Sequence, residues 1–432
     1  MIAAWSRAST WSRASIICCV VALHLLAGPG TARAQQEVAP GYDAAAFVGA
    51  LYSHAQAPKA EQFASAAATL VIAIEAWCRE PGETTPAVAG APEDAGDADL
   101  QPAAPLGAAQ AAWMAAADAW ARLAAVSLGA TLERNSAAIL DARPTRPPQI
   151  RAAIAARGRS RQPPDEKALA RVGATARGLP ALEWLLWDRS APHSVAACRY
   201  ATGLSQEVER EAGKLAAAHD ADAAIEWTDK ESEAVVRATE AVSQWLAGLE
   251  RLRSHQLGEP LAVATGKAGA ALDATLDTWP RPASGSHRGA WQAGWESLRQ
   301  LAIGPALPIE SGAQPAVATD VISLEALLRG IGRDIDADAW ARSVMAADQV
   351  VETLTSAAIA PARSPAHEAT ALPPAAVMER AVQAFGAVKE FLMATVAPAL
   401  QGVLGLGKEG DAPPHATSVA AGPACCGPVK AK

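Results

Sequence analysis

The chain has 432 residues, of which 50% are hydrophobic, 19% charged and only 5% aromatic, with 37 Lys and Arg against 45 Asp and Glu. That apolar content excludes disorder of the whole chain, and the length leaves room for two domains with cores of their own. The mildly acidic balance argues against nucleic acid as a partner and against a surface held to anionic lipid, while abundant alanine with few β-branched residues argues for helices over sheets.

Residues 1–34 read as a secretory signal. Arg7 and Arg13 give a positive start, 16–27 is a short apolar core that includes Cys18 and Cys19, and Gly28-Pro29-Gly30 breaks it. Ala32-Arg33-Ala34 is an A-x-A site, so cleavage is predicted after Ala34. An apolar core this short falls well below the roughly 20 residues needed to span a bilayer. The reading is a periplasmic mature protein with no later segment long and apolar enough to cross a membrane.

Apolar residues at helical spacing then predict helices over 43–56 and 59–78. Residues 80–105 are a low-complexity connector without apolar period. A long amphipathic helix is predicted over 106–140, with Trp113 and Trp120 two turns apart on one face. After the prolines at 144–148 come helices over 164–177, 179–188, 193–217 and 223–255. The second half continues with 259–278, 289–302 (Trp291 and Trp295 one turn apart), 320–334, 336–359 and 373–406. No strand-like alternation survives inspection. The expected fold is all-α, two antiparallel four-helix-type bundles side by side: residues 35–218, residues 219–406, and a flexible tail over 407–432. The tryptophans are expected to fill the bundle interiors.

The stretch that carries most chemical information is Gly178-Leu179-Pro180-Ala181-Leu182-Glu183-Trp184-Leu185-Leu186-Trp187-Asp188. Pro180 suits the first turn of a helix, where a missing N–H has no partner to lose. From Leu179 to Trp187 the helix is apolar on every face except at Glu183, so it should be buried, and Glu183 with it. A carboxylate in that position is protonated, paired with a cation or bound to a metal. The residues alone leave a functional carboxylate and a structural Glu–Arg pair both open. His219, Asp222 and Glu226, at i, i+3 and i+7, could present nitrogen and oxygen ligands on one helix face, but the polarity of their surroundings reads as a solvated face. Cys78 and Cys198 stand at helix ends, and export makes a disulfide between them plausible. Cys425 and Cys426 lie in the Gly/Pro-rich tail. No G-x-S-x-G, P-loop, dinucleotide fingerprint, H-E-x-x-H or haem-attachment motif is present.

The segment from Gly178 to Leu186 resembles the imelysin family, whose signature is Gly-x-His-x-x-Glu on a helix, and in particular its periplasmic branch with a G-L-P-A-L-E run. Gly178 and Glu183 match, and Pro180 stands where the signature has His. A second stretch, from Gly248-Leu249 through Arg253, Leu257-Gly258, Pro260 and Leu261, is similar to the family's G-L-x-x-x-R-x-x-x-L-G-x-P-L segment. The helix over 113–129 is similar to the family's first Trp-rich helix. The resemblance runs from about residue 42 to about 405 and implies a two-domain helical periplasmic protein associated with iron acquisition, with its site near the domain junction. The family was first classed as metallopeptidases. Zinc hydrolysis needs about three protein ligands and an activated water, and Pro180 cannot ligate through its side chain.

The function expected from this resemblance is a non-enzymatic binding protein for iron or another divalent metal, or a small ligand, with envelope proteins as further partners. Glu183 would be its metal or ligand contact, and Arg177, Asp188 and Arg281 would complete the site. The alternatives are a degenerate metallopeptidase and a structural or docking component. The family's basic, Ser/Gly-rich stretch also brings Arg281, His287 and Arg288 into consideration at the junction.

Overall fold

The computed structural model describes residues 42–79, 104–157, 160–266, 279–304, 321–356 and 373–404, and the following statements concern those residues. The signal with Cys18 and Cys19, the connector over 80–103 and the tail with Cys425 and Cys426 lie outside them. All regular structure among the described residues is helical, as the composition required.

Asp43 caps the first helix, its carboxylate accepting from Ala46 N at 2.8 Å, and α1 (Ala44–Leu51) runs through a π turn (Tyr52–Gln56) into α2 (Ala57–Arg79). Next come α3 (Ala104–Ala125), two short helices α4 (Ala130–Glu133) and α5 (Ser136–Leu140), α6 (Pro147–Arg157), α7 (Glu166–Leu169), α8 (Gly178–Trp187) and the long α9 (Val195–Ala223). In the second half α10 (Glu231–Glu250) continues through a wide π segment (Arg251–Gly258) into α11 (Glu259–Ala264). It is followed by α12 (His287–Ile303), α13 (Leu324–Gly330), α14 (Asp334–Ser356) and α15 (Ala375–Phe391), which passes through a third π turn (Leu392–Val396) into α16 (Ala397–Leu404).

Three sequence expectations are corrected. The helix expected over 106–140 stops at Ala125, because Arg251 donates from Nη2 to the carbonyls of Ala124 at 2.7 Å and Ala125 at 3.3 Å and closes the helix end. Gly129 and Asn135, both at positive φ, then turn the chain twice. The helix expected over 164–177 is only α7 plus a 3-10 turn at Ala174–Ala176. The continuous helix Ala375–Leu404 is long and apolar enough, by length and composition, to cross a membrane. Its core-facing stripe (Val377, Phe385, Val388, Leu392, Val396, Leu400) is buried in the protein, and alanines elsewhere raise its hydropathy.

The buried apolar side chains fall into two clusters. One joins α2, α3, α8 and α9 around Phe63, Leu70, Trp113, Trp120, Leu182 and Leu204. The other joins α1 with α10 and everything after it, around Phe47, Trp245, Trp291, Trp340 and Phe385. Fully burying one such side chain contributes about 1.5–3 kcal/mol. The tryptophans are core, as expected, and most keep their indole N–H satisfied: Trp245 donates to Leu298 O at 2.7 Å and Trp340 to Ala302 O at 2.9 Å. The first helix passes from one core to the other at its π turn. Between the cores, α12 packs on α3, and Gly248 lies so close to α3 that a Cβ there would stand 1.9 Å from Ala125 O. Gly248 of the second sequence motif is thus a close approach, and Arg251, within the same stretch, is a helix cap.

Candidate functional site

Helix α8 begins at Gly178, whose φ of +66° and whose contact with α5 both exclude a side chain: a Cβ would lie 2.5 Å from Leu140 O and 2.6 Å from Ile139 O. Pro180 sits in the first turn, and every residue from Gly178 to Leu186 is buried. Trp113 on α3 fixes the start of the helix by donating from its indole to Leu179 O at 2.9 Å. Glu183, one turn on, is 1% exposed.

The carboxylate of Glu183 is met by a loop from the other core. Ser284 gives it two hydrogen bonds at Oε1, from the backbone N–H at 2.9 Å and from the hydroxyl at 2.8 Å. Arg143 Nη2 stands 3.9 Å from Oε2. The Ser284 hydroxyl also lies 2.9 Å from Ser286 Oγ, and the tight loop holds itself through Gly285 N donating to Arg281 O at 3.1 Å. Burial pushes the Glu183 carboxyl above its ordinary value, opposed by Arg143, by the two Ser284 bonds and by Arg281.

Arg281 is buried at positive φ, pairs with Asp118 of α3, and places its guanidinium 5.8 Å from the centre of the Trp113 ring. Gly289 makes room for that pair, a Cβ there falling 3.1 Å from Asp118 Oδ1. His287, the first residue of α12, is buried between Trp279 and Trp291, at 5.7 and 4.9 Å between ring centres. Burial, with Arg288 and Arg281 nearby, lowers it to about 4, and its Nε2 has no hydrogen-bond partner among the described residues. Arg288 turns away to Thr355 O at 3.3 Å.

Of the residues singled out in the sequence, the structure brings Glu183 and Arg281 together. Arg177 does not join them. It forms a two-pronged pair with Glu207 of α9, at 2.6 and 3.2 Å. Asp188 ends α8, accepting from Trp184 Nε1 at 2.8 Å and Ser190 N at 2.7 Å, which keeps its carboxyl below the usual range despite partial burial. Sequence reasoning missed Arg143, Asp118 and Ser284. Arg143 lies in an irregular loop with no periodic signal, and only the Ser/Gly-rich character of 283–286 hinted at Ser284. Cys78 and Cys198 do meet. They are free thiols joined by a hydrogen bond, which raises Cys78, the burial of its thiol adding to the shift, and lowers Cys198.

A metal ion at Glu183 does not fit this donor set. One carboxylate oxygen is saturated by Ser284, the other faces a guanidinium, and the acids beside it are engaged, Asp118 by Arg281 and Asp141 by Arg143. Among the described residues no group of three or more His, Cys, Asp or Glu converges to hold a metal. What the arrangement does is fasten a loop of one core to the central helix of the other through a buried carboxylate.

An all-helical chain with a buried glutamate one turn after a glycine-started, apolar helix is the class that fold and site define. The Imelysin family model matches residues 56–392, and the chain belongs to the imelysin family. No curated protein matches it by sequence. Its fold is shared with an imelysin-like protein from Psychrobacter arcticum 273-4, at a TM-score of 0.58 and 16% identity over 83% of this chain and 95% of that one. It is shared likewise with a "putative iron-regulated protein A precursor" from Parabacteroides distasonis ATCC 8503, at 0.58 and 13% identity over 82% and 94%.

Proposed function

We propose that this imelysin-family chain is a non-enzymatic, exported binding protein of periplasmic iron handling, built as two helical bundles that Glu183 and the loop 279–287 latch together. The observation that carries the reading is the Glu183–Ser284 bond pair. A carboxylate withdrawn almost wholly from water spends its acceptor capacity on the opposite core, not on a substrate or an ion. Pro180, which has no donor to offer where the family signature has His, supports a role without hydrolysis. The signal-like start supports export, and the buried stripe of Ala375–Leu404 supports a mature chain that does not span the membrane. The name of the Parabacteroides protein supports the link to iron.

The test is titration of the purified mature chain with ferric nitrilotriacetate, for wild type and Glu183→Gln, with peptide hydrolysis followed with and without chelator. Both proteins are expected to retain iron equally, without chelator-sensitive turnover. Failure of wild type to retain iron would remove the iron-handling role. Loss of iron only in Glu183→Gln would return Glu183 to the ligand set, and chelator-sensitive hydrolysis would make the protein an enzyme.

A further inference from the structure

Polar groups beyond the latch gather where the first helix crosses between the cores. At the π turn, Tyr52 is 1% exposed and stacks on Trp227 at 5.6 Å with 10° between the ring planes. Gly129 lies against it: a Cβ there would stand 3.1 Å from Tyr52 Oη and 3.1 Å from Asp222 Oδ2, and Glu240 Oε1 accepts from Gly129 N at 3.3 Å. His219, which the sequence pattern placed on a solvated face, is fully buried, its Nε2 3.1 Å from Thr131 Oγ1. Burial lowers it to about 4, so it is neutral, as are the unmet Gln56 Oε1 and Trp227 Nε1. The unmatched charge stands one turn further on.

Lys59 lies near the start of α2, where that helix meets α12. Its Nζ donates to the hydroxyl of Ser297 at 2.8 Å, and Ser297 is 2% exposed. No carboxylate completes the contact. Glu296, beside Ser297 on α12, is turned to α3, where Arg122 Nε donates to its Oε2 at 3.0 Å, and its other oxygen accepts from Gln292 at 2.9 Å. Glu61, the nearest acid in sequence, is exposed, and Lys59 makes no ion pair among the described residues. The charge that acts on it is the Arg122 guanidinium, of like sign.

A lysine so placed is not held as an ammonium. Interiors pair their cations with acids, and here a hydroxyl is the partner and a guanidinium the neighbouring charge. Burial first, then Arg122, lowers the amine to about 7. Near neutral pH the lone pair on Nζ is therefore largely free, and a desolvated lysine with a free lone pair is a nucleophile. The surroundings choose its electrophile. An amine set among three helices favours a small, uncharged reagent over a bulky one. Arg122 favours a product that carries negative charge: Glu296 engages its Nε, and its two Nη groups make no hydrogen bond among the described residues. A guanidinium fork with free prongs is suited to a second carboxylate-like group.

We propose that Lys59 is a carbon dioxide site, its amine forming a carbamate that Arg122 meets across the contact of α2 with α3. Nζ attacks the carbon, an N–C bond forms, one C=O electron pair moves onto oxygen, and an N–H proton leaves to solvent. Amine and carbon dioxide become a carbamate anion and a proton, with nothing oxidised or reduced. The join between the cores then holds an anion beside a cation in place of two like charges. Neither the Glu183 latch nor iron enters this chemistry.

The mature chain is equilibrated near neutral pH with isotopically labelled bicarbonate and its dissolved carbon dioxide. Carbamates are trapped as ethyl esters with triethyloxonium ion, and the peptides are mapped by mass. Wild type is expected to carry the ester on Lys59 at about tenfold the level of any other lysine or more, the α-amine of the chain serving as internal reference. Arg122→Gln should lower the Lys59 ester about tenfold. Lys59→Arg should remove the carbamate carbonyl resonance that wild type shows beyond that of the α-amine. The decisive labelling is read on wild type, so a variant that fails to fold does not block it. An ester on Lys59 no higher than on exposed Lys167 overturns the site. So does limiting acetic anhydride that acetylates Lys59 first in a protein that forms no carbamate there, since the amine would be reactive without taking carbon dioxide. A Lys59 ester indifferent to Arg122→Gln overturns the pairing with the guanidinium.

Discussion

At the latch, Glu183 meets Ser284 and Arg143, Arg281 meets Asp118, and Asp141 meets Arg143 at 3.0 Å, so each charge has an opposite within reach. At the π turn, Tyr52 and His219 are as deep and Asp222 is half-buried, and His219 Nδ1, Gln56 Oε1 and Trp227 Nε1 have no hydrogen-bond partner among the described residues. The two clusters sit along the same join and use the same residue types. The difference teaches that burial alone does not identify a binding place: a satisfied cluster locks structure, whereas an unsatisfied one has capacity left for a ligand. Deletions at the first should therefore cost stability, and deletions at the second should cost little.

The largest expected effect is Gly178→Ala. The added Cβ would meet two carbonyl oxygens of α5 at 2.5 and 2.6 Å while holding a left-handed φ. A loss of about 3–5 kcal/mol is expected in urea denaturation; a variant as stable as wild type would mean that α8 does not start as described. Next comes the thiol pair. Cys78 and Cys198 already touch, and a bond between them would close a long loop across the first core, so reduction of oxidised protein should cost about 2–4 kcal/mol. Thiol counting on denatured, unreduced mature protein tests this. Four free thiols would show that the pair stays reduced.

Ser284→Ala follows. It removes one of the two bonds into Glu183 and leaves a buried carboxylate less well met, for an expected cost of about 1–3 kcal/mol. If the melting temperature does not move, the loop is not held by this contact and the contrast between the clusters collapses.

The all-helical fold was legible because alanine content and apolar spacing act locally, and so was the burial of Glu183, which follows from a helix apolar on every face. The family resemblance was legible through Gly178, Glu183 and the segment after Gly248. What surrounds Glu183 was not. Arg143 and Ser284 arrive from loops 40 and 101 residues away, whose course no periodicity encodes. Arg177 looked like the natural partner by proximity in sequence, but its extended backbone ahead of α8 turns it toward Glu207. His219 was misjudged because its polar neighbours Asp220, which is exposed, and Asp222 concealed a ring that packs beside Tyr52.

A smaller effect is expected from Glu183→Gln, visible mainly in its pH dependence. Burial raises the native carboxyl above the unfolded value, so the folded chain keeps this proton to higher pH than the unfolded chain does. Wild type should then lose stability as pH rises from the ordinary glutamate range up to the raised native value, by at most about 1.4 kcal/mol per pH unit. Glu183→Gln has no proton to lose and should show a flatter profile over that interval. Parallel profiles would place the titration elsewhere.

The smallest change should come from Tyr52→Phe, and its smallness is the informative part. The ring and its stacking on Trp227 remain, and no side-chain hydrogen bond of the hydroxyl is found among the described residues. Stability should shift by no more than about 0.5 kcal/mol in either direction, because deleting a group already denied its hydrogen bonds leaves nothing newly exposed or orphaned. Set against Ser284→Ala, the pair reads the two clusters directly in denaturation midpoints, both side chains being buried. A Tyr52→Phe cost as large as that of Ser284→Ala would mean that the phenol is already satisfied in the folded chain. The acids around Gly129 would then be a second lock.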